Sequence, residues 1–159
     1  MATNPDPTPD DAPERRIRQA GNQAVARREV LHAATQDLAA ALEAPGEDVE
    51  AWVASARDAI ARMQESLRAH AREAEQPDGL LAEVVQWQSS FGPRVERMRR
   101  EHRALIEQAE ALQEYAGQTS DPADIRRTAT TLVDAVDRHR HRSTELVQDT
   151  YNLDVSTGD

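Results

Sequence analysis

The chain has no cysteine among its 159 residues, and no lysine, so all 19 of its basic residues are arginine. The first absence excludes disulfides, thiolate zinc sites, iron–sulfur clusters and a cysteine nucleophile. The second excludes a Schiff base and the lysine of a phosphate-binding loop. Aromatic residues make up only 3% of the chain, too few for a base-stacking platform. No apolar run approaches the ~20 residues that span a bilayer. The first residues, Met1 to Pro13, are acidic and proline-rich, with no charged-then-apolar leader pattern. A membrane partner is therefore not expected, and the cytoplasm is the expected location. Nor is nucleic acid expected, because a net charge of −10 repels phosphate. The pairs Arg15-Arg16, Arg99-Arg100 and Arg126-Arg127 each have acidic neighbours within one turn, and read as solvated faces with i,i+4 ion pairs.

What remains for chemistry is imidazole, carboxylate, hydroxyl and guanidinium. Around them the chain is organised as helices. Residues 1–10, with three prolines, read as a disordered tail, and residues 11–150 as one domain. Asp11, Pro13 and Glu14 resemble a helix start, and Ile17, Ala20, Ala24, Leu31, Leu38 and Leu42 form one apolar stripe up to Pro45-Gly46. A second helix is expected from about Asp48 to Glu75, with Trp52, Ala56, Ile60, Met63 and Leu67 inward. After the Pro77-Asp78-Gly79 turn comes a short amphipathic helix, Leu80 to about Ser89, and then a break at Phe91-Gly92-Pro93.

A third long helix is expected over about Arg94 to Ala116, with Val95, Met98, Leu105, Ala109 and Leu112 inward. Ser120-Asp121-Pro122 and Asp124 start a fourth, which runs to about Gln148 with Ile125, Ala129, Leu132, Val136, Leu146 and Val147 inward. Residues 151–159 read as an irregular tail. No segment alternates with period two. The fold class is all-α: an antiparallel up-down-up-down four-helix bundle with a short extra helix between the second and third long helices.

There are five histidines. On helical wheels at ~100° per residue, His70 continues the series Ile60, Met63, Leu67. His102 lies between Met98 and Leu105, and His139 between Val136 and Leu146, so both also point inward. His32 lies about 95° from its stripe centre, at the boundary, and His141 about 155° from its own, facing water. Counted at ~1.5 Å per residue, His32, His102 and His139 share a level, with His70 somewhat higher. One inward histidine is usually a hydrogen-bonded core residue. Several together cost desolvation unless each finds a partner, and a cation held between facing helices supplies one.

At these residues the chain resembles the hemerythrin-like (HHE cation-binding) family of four-helix bundles, over about Arg28 to Asp154. The pieces are His32 in LHAA, His70 and Glu75 in HAREAEQPDGLLAEVV, His102 in RREH, and HRHRSTELVQDTYNLD from His139. The last of these and the PDGLLAE turn look particularly like actinobacterial members. The resemblance implies a non-haem iron site, mono- or dinuclear, with His70, His102 and His139 as core ligands and His32 and Glu75 completing or bridging it. It also implies binding or sensing of dioxygen, nitric oxide or peroxide.

Of the carboxylates such sites carry four or five residues after a histidine, Glu75 fills one place. Ser143 and Thr144 stand in the corresponding places after His139. His141 and Glu145 have the four-residue spacing and read as a surface pair. The ferritin-like Glu-x-x-His pair of motifs is absent, as Glu29–His32 is its single match. Tyr115 and Tyr151 are candidates to donate a hydrogen bond near a metal, and Trp52 and Trp87 read as core or lid anchors. The function expected is thus metal-dependent binding rather than catalysis. An enzymatic role, if there is one, would be iron-dependent handling of peroxide or nitric oxide. The alternative from another class is a metal-free bundle serving as a structural or protein-interaction module.

Overall fold

The computed structural model describes residues 12–156. The expected tail at 1–10, and the side chains of Ile17, Ala20, Ala24 and Tyr151, lie outside what is described. The described chain is all-helical, with four long helices and no strand. Helix α1 spans Ala12–Ala41, α2 Val49–Glu75, α3 Leu80–Trp87, α4 Gly92–Gln118 and α5 Pro122–Ser156, with a single 3-10 turn at Ser89–Phe91 before α4.

The local reasons are chemical. Asp48 caps α2, its Oδ1 accepting from the Ala51 N–H at 2.9 Å. Asp121 does the same for α5 through the Ala123 N–H at 3.0 Å, with Pro122 in the first helical position. Two arginines satisfy carbonyls at helix C-termini. Arg57 donates to Ala116 O at 2.6 Å and Thr119 O at 3.0 Å, closing α4. Arg126, on the exposed face expected of it, also donates to Leu42 O at 2.7 Å and so closes α1.

Three expectations change. The break expected at Phe91-Gly92-Pro93 lies slightly earlier, at Gln88 and the 3-10 turn that ends on Phe91. Helix α4 starts at Gly92, with Pro93 in its first turn where the missing N–H costs nothing, and Phe91 is buried beneath it. Helix α5 continues to Ser156 through the segment expected to be irregular from residue 151, with Thr150 buried and its Oγ1 donating to Leu146 O at 2.8 Å. Trp52 is half-buried rather than fully inward. Val53 takes the core position, and the indole Nε1 donates to Glu43 O at 2.8 Å.

The core divides into two apolar clusters. The larger holds Leu38, Ile60, Met63, Leu67, Leu105, Leu132 and Val136 among others, and the smaller holds Ala74, Leu81, Phe91, Val95, Met98 and Leu146. Along α2, the chain passes from Leu67 in the first to Ala74 in the second. On α4 it passes from Met98 to Leu105, and on α5 from Val136 to Leu146. The residues at those three crossings are His70, His102 and His139.

Candidate metal centre

A layer of imidazoles therefore replaces hydrocarbon between two apolar clusters. His70, His102 and His139 are 9%, 3% and 1% exposed. One potential ligand atom from each lies within 4.8 Å of the others. The ring centroids are 4.8–5.5 Å apart, with edge-to-face packing in each pair. Sequence counting placed His70 higher than the other two. The structure closes that gap and brings the three rings to one level.

Each ring's protonation is set by its surroundings. Burial pushes the His70 pKa down to about 3, helped by the other two imidazoles and by Arg27 and Arg28. Burial, reinforced by His139, pushes His102 down to about 3 as well. Burial also lowers His139, outweighing the opposing effect of Glu101. All three are neutral at pH 7 and carry one N–H and one lone pair each.

The position of that N–H is settled by two carboxylates. His102 Nδ1 lies 2.7 Å from Glu75 Oε1, and His139 Nδ1 lies 3.0 Å from Glu101 Oε2. A carboxylate accepts, so both Nδ1 atoms are the donors, and the lone pairs of His102 and His139 sit on Nε2. His139 Nε2 is 3.3 Å from His70 Nε2, which must then be the donor between them. His70 Nδ1 is left buried with its lone pair and no partner.

Glu101 itself is pulled two ways. Burial raises its pKa, but hydrogen bonds from His139 and Arg142 and the Arg142 charge hold it below the ordinary carboxylate range. Arg142 Nε lies 2.7 Å away and Arg97 Nε 3.3 Å.

This donor set fits a transition-metal ion. Carboxylate behind imidazole is the arrangement that orients metal-binding histidines and fixes their tautomer. Two nitrogens each about 2.0–2.1 Å from a tetrahedral ion lie about 3.3–3.4 Å apart, and the His70–His139 nitrogens are 3.3 Å apart. With a cation held by its Nε2, His70 would carry its proton on Nδ1, which has no hydrogen-bond partner. Three imidazoles and no thiolate suit iron or zinc over softer ions.

The remaining expected residues fall elsewhere. Glu75 stands behind His102 and is not one of the three converging groups. His32 is half-buried and also outside that group, with its Nδ1 buried and unpartnered. Helix α1 meets the histidine layer at Arg27 and Arg28 instead, about one turn earlier. His141 is exposed and donates through Nδ1 to Asp137 O at 2.9 Å, and Glu145 is exposed too. Tyr115 is at the far end of α4 from Met98 and bonds Asp124 at 3.2 Å.

Sequence reasoning missed Glu101, Arg27 and Arg28. Glu101 carried one readable signal: it flanks the α4 stripe immediately before His102, on the side that turns toward α5. Compared with known proteins, the chain matches no family model, no curated protein and no solved structure.

Proposed function

We propose that this chain is a hemerythrin-like metal-binding bundle in which His70, His102 and His139 hold one transition-metal ion, iron in the physiological form. The observation that carries the reading is the convergence of three buried, neutral imidazoles, two of them oriented by Glu75 and Glu101. Bound iron would supply an open coordination position for dioxygen, nitric oxide or peroxide. The protein's own part is to keep the rings neutral, fix which nitrogen faces inward and exclude bulk water. Glu75 is assigned to orienting His102, and His32 to the margin of the site.

The bundle itself is proposed to be antiparallel, up-down-up-down, with α3 as the extra helix. Supporting this, Leu42 meets Arg126 while Arg28 meets Thr144, so residue numbers rise on α1 as they fall on α5. The same opposition relates α2 to α4, through Arg68–Glu110 and Glu75–His102.

One observation favours the second reading, a metal-free structural or interaction module. The His70–His139 contact and the two histidine–carboxylate bonds already satisfy most of the layer's polar atoms. Metal analysis separates the two. After anaerobic Fe(II) loading and desalting, close to one iron per chain is expected, with His102→Ala losing it and His141→Ala keeping it. Less than about a tenth of a metal per chain, with Zn(II) loading equally negative, overturns the metal reading.

A further inference from the structure

Val30 on α1 is 65% exposed, more than any other large apolar side chain among the described residues. It lies in a row along α1 with Gln23, Ala26, Ala33, Asp37 and Ala40, all of them exposed. Their spacing alternates three and four residues, the 3.5-residue period of a seam that packs on a second helix. Three of the six are alanine, so a second helix can approach α1 closely.

The charge along α1 decides what covers this row. From Ala12 to Arg28 there are five arginines and one acidic residue, Glu14. From Glu29 to Ala56 there are six acidic residues and no lysine or arginine. Arg27 is spent within the chain, on Glu73. Arg18, Glu29 and Asp37 are exposed and form no ion pair among the described residues. The row therefore runs from a basic end to an acidic end. Two copies laid antiparallel match both ends at once, whereas parallel copies set like charge against like.

We propose that two copies of this chain pair through α1, antiparallel, about a twofold axis level with Arg28. In this register Val30 of each copy seats beside Ala26 of the other, and Gln23 faces Ala33. Arg18 then lies within one residue, or about 1.5 Å along the axis, of the level of Asp37 in the second copy. Such a contact is isologous, so it closes as a dimer and does not propagate into a filament.

The pairing also bears on the histidine layer. A cleft of about 260 Å³ between α1 and α2 is lined by Gln23, Ala26 and Val30 of the row and by His70. The second copy lies along the α1 edge of that cleft. The proposal rests on the exposed row and its charges, needs no metal, and is independent of the metal reading.

Sedimentation velocity on the full chain tests it. Between about 5 and 500 µM the protein should pass from monomer to dimer, with the modest affinity of a small interface. Raising the salt from about 0.05 to 0.5 M should weaken the dimer severalfold, because the matched charges are exposed and screened. Val30→Glu, which puts a carboxylate into the seam, should weaken it at least about tenfold.

Charge reversal reads the orientation. Asp37→Arg and Arg18→Glu should each weaken the dimer about threefold to tenfold, the worth of two symmetry-related surface pairs. The double variant Arg18→Glu/Asp37→Arg should return to within about twofold of the unmodified chain, since antiparallel copies again match. Arg68→Gln, which breaks a surface pair with Glu110 on another face, should change nothing. All these positions are partly or largely exposed, and circular dichroism confirms that the variants fold. A chain still monomeric at about 500 µM overturns the proposal and leaves the row to a different protein. A double reversal no tighter than the single variants overturns the antiparallel pairing.

Discussion

Glu101 on α4 and His139 on α5 are joined by a 3.0 Å hydrogen bond from Nδ1 to Oε2, and this bond decides which nitrogen of His139 faces the other two histidines. The carboxylate is ion-paired in turn with Arg142 at 2.7 Å and Arg97 at 3.3 Å. Position and charge are separable. Glu101→Gln keeps the shape and gives up the charge. Metal affinity, measured by competition with a chromogenic chelator, is expected to fall about 10–100-fold, the range typical of such orienting partners. Glu75→Gln should do the same through His102. Retention of full affinity by both variants would mean that the carboxylates only neutralise neighbouring arginines.

Acid should destabilise the metal-free protein in a defined window. His70 and His102 titrate near 6.5 when unfolded and near 3 when folded. Between those values the unfolded chain binds protons that the folded chain refuses, so stability rises with pH and is lost on acidification. Each histidine contributes a slope of at most about 1.4 kcal/mol per pH unit, or about 2 kcal/mol between pH 7 and pH 5. His139, lowered in the same direction, adds to the loss. Glu101 adds to it only below its ordinary value of 4.5, because a depressed carboxyl stabilises the fold above that value. Urea unfolding at pH 7, 6 and 5 checks this. His102→Gln should remove one histidine's share of the slope, and a flat profile for the unmodified chain contradicts the buried, neutral assignment.

The histidine layer was legible because wheel position depends only on local periodicity. His70, His102 and His139 continue apolar stripes at three- and four-residue steps, and those stripes are the helices' buried faces. What periodicity does not contain is the axial offset between helices. His32 was counted at the level of His102, whereas the residues of α1 that reach the layer are Arg27 and Arg28. Partners supplied across an interface were invisible for the same reason. Glu101 and Arg126 both sit on polar flanks of their helices, where sequence reads solvent. One bonds a buried ring and the other caps a neighbouring helix.

His32 gives a test of the four-histidine arrangement that the family resemblance implies. Its Nδ1 is buried with no hydrogen-bond partner, so His32→Leu replaces an unsatisfied polar atom by hydrocarbon. Stability should be unchanged or raised by up to about 1 kcal/mol. Iron stoichiometry after loading should also be unchanged. A drop in bound iron comparable to that of His102→Ala would instead place His32 among the ligands and make α1 a full member of the site.

Gly79 connects the turn before α3 to the end of α2 that carries Glu75. A Cβ built at Gly79 would lie 2.6 Å from Glu73 O and 2.8 Å from Ala74 O, and both are backbone atoms with nowhere to yield. Gly79→Ala must therefore push the turn away from the last turn of α2, at an overpacking cost of about 1–3 kcal/mol. Glu75, whose bond to His102 is 2.7 Å, is the α2 residue from which that turn leaves, so metal affinity should fall together with stability. Gly117, inside α4, offers the contrast, with nothing within 4 Å of its Cβ position. Gly117→Ala should stabilise the protein by up to about 1 kcal/mol through helix propensity and leave metal affinity alone. Urea unfolding with chelator competition on both variants reads the two effects together. If Gly79→Ala proved as harmless as Gly117→Ala, the close approach of the turn to α2 would be wrong, and with it the placement of Glu75 behind His102.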